Sequence, residues 1–275
     1  MNNGKETIIE LEHIVKRYAS RGSFFGARGK EVIALNQISI KILRGEIFGL
    51  VGESGSGKTT AGRLIVKLEK PEGGRIYING SDMAGLKGKA LKDFHRKVQM
   101  IFQDPYQSLN PQISVFDTIS EPLVIHKIGN AKDREDAVWQ IMKSVGLSPP
   151  DDFVNRYPHQ LSGGQRQRVA IARVMVLNPD FVVADEPTSM LDATIAIQLF
   201  RLILDIRDRF GVTFLFITHN LAAARYLCDR IAVIHNGEIV ETGPAEKIIR
   251  EPQHDYTRKL IAAQPAFAYG GAGSS

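Results

Sequence analysis

The chain has 275 residues, with 35 Lys and Arg against 30 Asp and Glu, a formal charge of +5. Its 43% apolar and 24% charged residues exclude global disorder, and its one cysteine, Cys228, excludes both an internal disulfide framework and a four-thiolate metal centre. No apolar run reaches the ~18 to 20 residues that a bilayer span needs, and the polar start MNNGKETIIE lacks the apolar stretch of a secretory signal, so a cytosolic protein is expected.

Thr7 to Tyr18 reads as a strand. The Gly-rich, basic run at 21–30 predicts an exposed loop or hairpin extension. Val32 to Leu43 alternates apolar and polar positions, as a half-buried strand does. Glu46 to Val51 is a short apolar run ending in glycines, and the stretch from Lys58 to Leu68 is compatible with a helix. Arg75 to Asn79 is β-like and closes on the turn pair Asn79–Gly80. Between Asp104 and Pro158, prolines at 105, 111, 122, 149 and 150 interrupt helical periodicity, which predicts a helical insertion between two halves of an α/β core. Beyond it, Phe181 to Ala184 and Thr213 to Ile217 are apolar β-rich runs separated by a helical segment, the pattern of a parallel sheet. Ile231 to Ile234 and Glu238 to Val240 flank Asn236–Gly237 as a hairpin does, and the tail from Ala268 to Ser275 is small and flexible in composition.

The strongest chemical signal is Gly52-Glu53-Ser54-Gly55-Ser56-Gly57-Lys58-Thr59, followed by Thr60, which satisfies the phosphate-loop pattern. Glycines let several backbone N–H groups converge on a phosphate, and the following helix start favours anions. Lys58 supplies a mobile cation for the β- and γ-phosphates and the Thr59 hydroxyl a ligand for Mg²⁺. Downstream, the apolar strand Phe181 to Ala184 delivers Asp185 and Glu186 at its C-terminal end, where ligands bind in open α/β sheets. Adjacent strand positions point to opposite sides, so Asp185 is assigned to Mg²⁺ and Glu186 to the general base. Alone, the pair would read as helix-start charges; the phosphate loop turns it into a catalytic pair.

Further motifs follow in order. Leu161-Ser162-Gly163-Gly164-Gln165, Gln103 in QMIFQDP, His219 in FLFITHN, Tyr18 in VKRY and Ser189-Met190-Leu191-Asp192 together resemble the ATP-binding-cassette ATPases over nearly the whole chain. The resemblance implies a P-loop, RecA-like α/β core with an N-terminal antiparallel β part, a helical subdomain and a C-terminal extension. It implies ATP stacked on Tyr18, Gln103 as a further Mg²⁺ and catalytic contact, and His219 on the γ-phosphate. Ser162, Gly163, Gly164 and Gln165 would serve the nucleotide of a facing subunit. Without the family, Ser162 reads as a helix cap, His219 as a structural histidine, and Gln103 and Tyr18 as ordinary polar and core residues.

A narrower resemblance is to the oligopeptide and dipeptide permease ATPases, carried by QMIFQDPYQSLNP and by Pro252, His254, Tyr256, Thr257, Arg258 and Leu260. Gly62-Arg63 and the intact Gln165 resemble the F-type subunit; Asp255, Met190 and Asn220 depart from the family's proline, alanine and aspartate. Cys228 alone cannot build the iron–sulfur cluster that some relatives carry. The expected domains are 1–103, 104–166, 167–245 and 246–275: core, helical signature subdomain, second half of the core, and extension with tail. The implied partners are two membrane-spanning permease subunits, a second cassette ATPase (a different chain, as the F-type features favour, or a copy of this one) and an external solute-binding protein acting through the permease. No nucleic acid is implied, and the location is the cytoplasmic face of the cell membrane, peripherally bound. The implied cargo is a dipeptide or oligopeptide, with glutathione, nickel chelates and oligosaccharides also moved by relatives. A DNA- or ribosome-directed cassette, an exporter and a catalytically dead module are the alternatives. The single cassette without coiled coils, the C-terminal extension, and the intact Lys58, Asp185, Glu186 and His219 argue against each in turn.

Overall fold

The computed structural model describes residues 6–19 and 31–263, with backbone alone at Tyr106 and Gln107. The loop expected at 21–30 and the tail expected at 268–275 lie outside those residues. Alternating apolar positions bring β1 (Thr7–Ala19) and β2 (Glu31–Leu43) together as an antiparallel pair, which buries Ile9, Leu11, Ile14, Leu35, Ile38 and Ile42. β3 (Ile47–Val51) is buried along its whole length and leads into α1 (Lys58–Ile65). The helix stops three residues before the expected Leu68. Lys67 takes a left-handed φ of 58°, and the N–H groups of Lys67 and Leu68 donate to Leu64 O and Arg63 O, a Schellman ending. β4 (Gly73–Ile78) pairs with β1 and turns through Asn79 and Gly80, at φ 46° and 74°, into the short β5 (Ser81–Asp82). An unanticipated helix, α2 (Gly88–Lys97), then feeds an unanticipated strand, β6 (Val98–Ile101).

The insertion contains α3 (Pro105–Ser108), α4 (Val115–Ile125) and α5 (Ala131–Ser144). Ser114 and Asn130 cap the two longer helices, Asn130 in a capping box with Asp133. The next helix, α6 (Gly163–Met175), begins at Ser162 and runs unbroken across residues 166 and 167, where a domain boundary was expected. Its arginines tie the insertion together by donating to carbonyls: Arg166 to Pro158 O at 2.5 Å, Arg168 to Val145 O at 2.5 Å and Arg173 to Ser108 O at 3.1 Å.

The second half of the core supplies β7 (Phe181–Asp185), α7 (Ala193–Phe210), β8 (Thr213–Thr218), α8 (Leu221–Leu227) and the hairpin of β9 (Arg230–His235) and β10 (Glu238–Pro244). Two short helices, α9 (Ala245–Arg250) and α10 (Asp255–Ala263), end the described chain. The strands form two sheets, β2-β1-β4-β5 and β10-β9-β3-β8-β7-β6, and in the second all pairings are parallel except that of β10 with β9. Alternation divides the core. Phe48, Leu50, Phe181, Val183, Leu215 and Ile217 pack toward α1 and the antiparallel sheet, while Val182, Ala184, Phe214 and Phe216 pack toward α6, α7 and α8. Cys228 is buried at the foot of β3: a Cβ on Gly49 would stand 2.9 Å from its sulfur, and burial pushes its thiol pKa up.

Phe216 is fully buried and packs edge-on against Phe200 with ring centroids 6.0 Å apart. Phe216→Ala is expected to lower unfolding free energy by about 3 to 5 kcal/mol, measured by urea denaturation.

Candidate active site

Four neighbouring parallel strands end on one edge of the larger sheet, and each delivers part of the predicted site. β3 runs into the phosphate loop, β8 into His219, β7 into Asp185 and Glu186, and β6 ends two residues before Gln103. The cleft at this edge has a volume of about 350 Å³ and is lined by Glu53, Ser54, Glu186, His219, Leu260 and Ala263.

The loop is folded by its glycines. Gly57 takes a φ of 107°, and a Cβ there would stand 2.3 Å from Ala34 O; one on Gly52 would stand 2.2 Å from Ile234 O. Lys58 is buried and its ammonium donates to Gly52 O at 2.9 Å and Glu53 O at 2.7 Å. Burial lowers the Lys58 pKa against the pull of the Glu186, Asp185 and Glu53 carboxylates. The Ser56 hydroxyl is buried without a hydrogen-bond partner among the described residues.

Thr59 Oγ1 donates to Asp185 Oδ1 at 3.1 Å, joining the loop's helix to β7. Burial raises the Asp185 pKa, opposed by that hydroxyl. Glu186 diverges from Asp185 by a means other than strand alternation: β7 ends at Asp185, and Glu186 takes a left-handed φ of 44°. Its N–H still donates to Ile217 O at 3.0 Å, so the turn is anchored to β8. Gln103 Nε2 donates to Glu186 Oε2 at 3.2 Å, and His219 Nδ1 lies 3.1 Å from Oε1. Each carboxylate oxygen thus faces a group from a different strand end.

Tyr18 stands at the border of the antiparallel sheet, where its hydroxyl donates to Glu69 at 2.5 Å and lies 3.5 Å from the Thr60 hydroxyl. Lys16 sits 5.2 Å above the ring, and Glu69 also pairs with Lys16 and Arg63. Glu69 and Lys16 escaped the sequence reading. The two-residue spacing of Lys16 and Tyr18 on a strand signals a shared face; Glu69 carries no such signal. The signature residues do not line the cleft. Ser162 caps α6, accepting the Gln165 N–H at 3.3 Å while Gln165 Oε1 accepts the Ser162 N–H at 2.9 Å. Gly163 and Gly164 face Leu191 and Ile195, at the start of α7, closely enough that a Cβ on Gly164 would stand 2.8 Å from Ile195.

A family model described as ABC transporter matches residues 35–189. The chain belongs to that family. As a cassette of this family it is an ATPase, and its fold is that of the solved cassettes. The dimeric post-hydrolysis structure of the ATP-binding cassette MJ0796, bound to ADP and Pi, superposes with a TM-score of 0.75 at 30% identity, covering 86% of this chain and 99% of that one. The oligopeptide transport ATP-binding protein OppF of Bacillus subtilis (strain 168) is 43% identical over 263 residues, 94% of this chain and 83% of that protein. The glutathione import ATP-binding protein GsiA of Pectobacterium atrosepticum is 42% identical over 260 residues, 94% of this chain but only 41% of that protein.

Two departures from the cassette pattern have local explanations. Asn220 caps α8, accepting the N–H groups of Ala222 at 2.9 Å and Ala223 at 3.1 Å, a task asparagine and aspartate do equally well. Asp255 opens α10 and pairs with Arg258 at 2.6 Å, which suits the positive end of a helix. The cassette's loop fits a magnesium nucleotide on its own chemistry. An orphaned Ser56 hydroxyl and a buried ammonium suit phosphate oxygens. Thr59 and Asp185 offer hard oxygens from two elements, leaving further positions to phosphate and water.

Because the folded-state pKa of Asp185 lies above the unfolded one, its charge costs stability near neutrality, and that cost is relieved as pH falls through the raised value. Asp185→Asn is expected to stabilise the nucleotide-free chain at pH 7, because the amide removes the buried charge and keeps an oxygen for the Thr59 hydroxyl. Thermal melts across pH check this: the advantage should shrink as acid neutralises the wild-type carboxyl.

Proposed function

We infer that the chain powers import of peptides by hydrolysing MgATP between two facing cassettes, with Lys58, Thr59, Asp185, Glu186, Gln103 and His219 in the roles set out above. The observation that carries the reading is the delivery of these groups by four adjacent strand ends around one phosphate loop. Lys58 and the loop N–H groups hold the phosphates, and Tyr18 stacks the base. Thr59, Gln103 and Asp185 would hold Mg²⁺, which would supply neutralisation of phosphate charge. A carboxylate oxygen of Glu186 takes the proton of the attacking water, and Gln103 and His219 orient that carboxylate.

Similarity to OppF supports a peptide cargo, and dimeric MJ0796 supports a two-cassette assembly. No helix among the described residues is long and apolar enough to cross a membrane. Separate membrane-spanning subunits therefore carry the cargo path in this reading, with the chain peripheral on the cytoplasmic face. An apolar groove of about 310 Å³ beside Gln103, lined among others by Leu68, Phe102, Leu109 and Ile125, suits a membrane subunit's apolar segment.

Glu186→Gln is expected to retain MgATP binding and to lose about 10²- to 10⁴-fold in turnover of the assembled transporter. Near wild-type turnover would remove Glu186 from the base role. Ser162→Arg tests the facing-cassette arrangement. Combined with Lys58→Ala on the same chain, it should damage both composite sites. With the lysine lesion on the partner chain it should leave one site whole and nucleotide occlusion at about half, as the pairing arithmetic requires. Equal occlusion from the two arrangements would return Ser162 to a helix cap.

A further inference from the structure

The C-terminal segment reaches back past β10 to the phosphate loop. Glu53, the second residue of the loop, donates its backbone N–H to the Tyr256 hydroxyl at 3.2 Å. The Tyr256 ring is 9% exposed and stacks on His235 of β9, centroids 3.8 Å and planes 27° apart. Burial, the largest influence, raises its pKa.

The segment that presents Tyr256 is itself tied down. Glu241 of β10 accepts the N–H groups of Gln253 at 2.9 Å and His254 at 3.1 Å, and His254 Nδ1 accepts the Tyr256 N–H at 3.1 Å. Arg258 donates to Gln253 O at 2.9 Å and Pro252 O at 3.2 Å. From its other end the phosphate loop is held by the hairpin tip, where Gly237 N–H donates to Ser56 O at 3.1 Å. One and two turns beyond Tyr256, Leu260 and Ala263 line the same cleft as Glu186 and His219.

A loop with glycines at 52, 55 and 57 loses much conformational freedom when it wraps an anion. Fixing its first turn beforehand lowers that loss, and an N–H committed to an outside hydroxyl fixes it. We propose that the C-terminal segment is a working part of the nucleotide site, with Tyr256 a positioning residue that orders the first turn of the phosphate loop and α10 a wall of the cleft. This rests on the phosphate-loop reading above.

The test is Tyr256→Phe, which removes the hydroxyl and keeps the ring on His235. In the assembled transporter the KM for MgATP should rise about threefold to tenfold, the scale of one hydrogen bond, with kcat within about twofold. Calorimetric titration of the full-length chain with MgATP should show the same loss of affinity, and its melting temperature should move by less than about 2 °C. An unchanged KM, or KM and kcat that worsen together with the melting temperature, overturns the inference. Lys58→Ala in the same titration should abolish binding; wild-type affinity there would overturn the loop reading itself, and this inference with it.

Discussion

The site depends on the register of a buried parallel ladder. Ile101 pairs with Ala184, Ala184 with Phe216, Asp185 with Ile217, and Val51 with Thr218, so the strand ends that carry Gln103, Glu186, His219 and the phosphate loop stand nearly level. Strands buried on both faces gain nothing from an inside-outside pattern, so slippage must be prevented at their ends. Polar clamps do this at the foot of the sheet. Thr213 Oγ1 accepts the Gly45 N–H at 2.9 Å, Asp229 accepts the Ile47 N–H at 2.9 Å, and buried Glu46 pairs with Arg230 at 3.1 Å while accepting the Leu43 N–H. Burial raises the Glu46 pKa, opposed by these partners. A slip of one residue would separate the carboxylate from both groups that orient it.

Above that ladder, Glu186 links the cleft to the segment before α7. Its left-handed backbone turns the chain out of the sheet, and its carbonyl accepts both the N–H and the hydroxyl of Ser189 at 3.1 Å. Two residues later Leu191 packs against Gly163. Glu186, the base of the proposed mechanism, is therefore one short, hydrogen-bonded turn from the segment that packs against Gly163. A shift at either end has little slack in which to dissipate, as close packing requires.

What was legible in the sequence was local. The phosphate loop, the two carboxylates, the hairpin turns at Asn79–Gly80 and Asn236–Gly237 and the capped start of α6 each depend on residues a few positions apart. β6 is only four residues long, and α2 opens on Lys87 without a side-chain cap, so neither announced itself. The role of Glu69 beside Tyr18, 51 positions away, depends on the two sheets being folded together. The same holds for the arginines of α6, whose basic run gives no hint that each reaches a backbone carbonyl. The divergence of Glu186 from Asp185 was expected for the wrong reason, because no periodicity encodes a left-handed residue at a strand end.

The lone thiol packed under Gly49 makes the molecule self-reporting. Cys228 sits where β3 begins its path to the phosphate loop, shielded from solvent and, with its raised pKa, poor in thiolate. A thiol reagent can reach it only through an opening that lifts α8 from the foot of β3. The pace of modification therefore counts such openings, with no label to be introduced and no second cysteine to confuse the signal. Because the same strand leads into the phosphate loop, that count reports on the opening of the strand from which the loop springs.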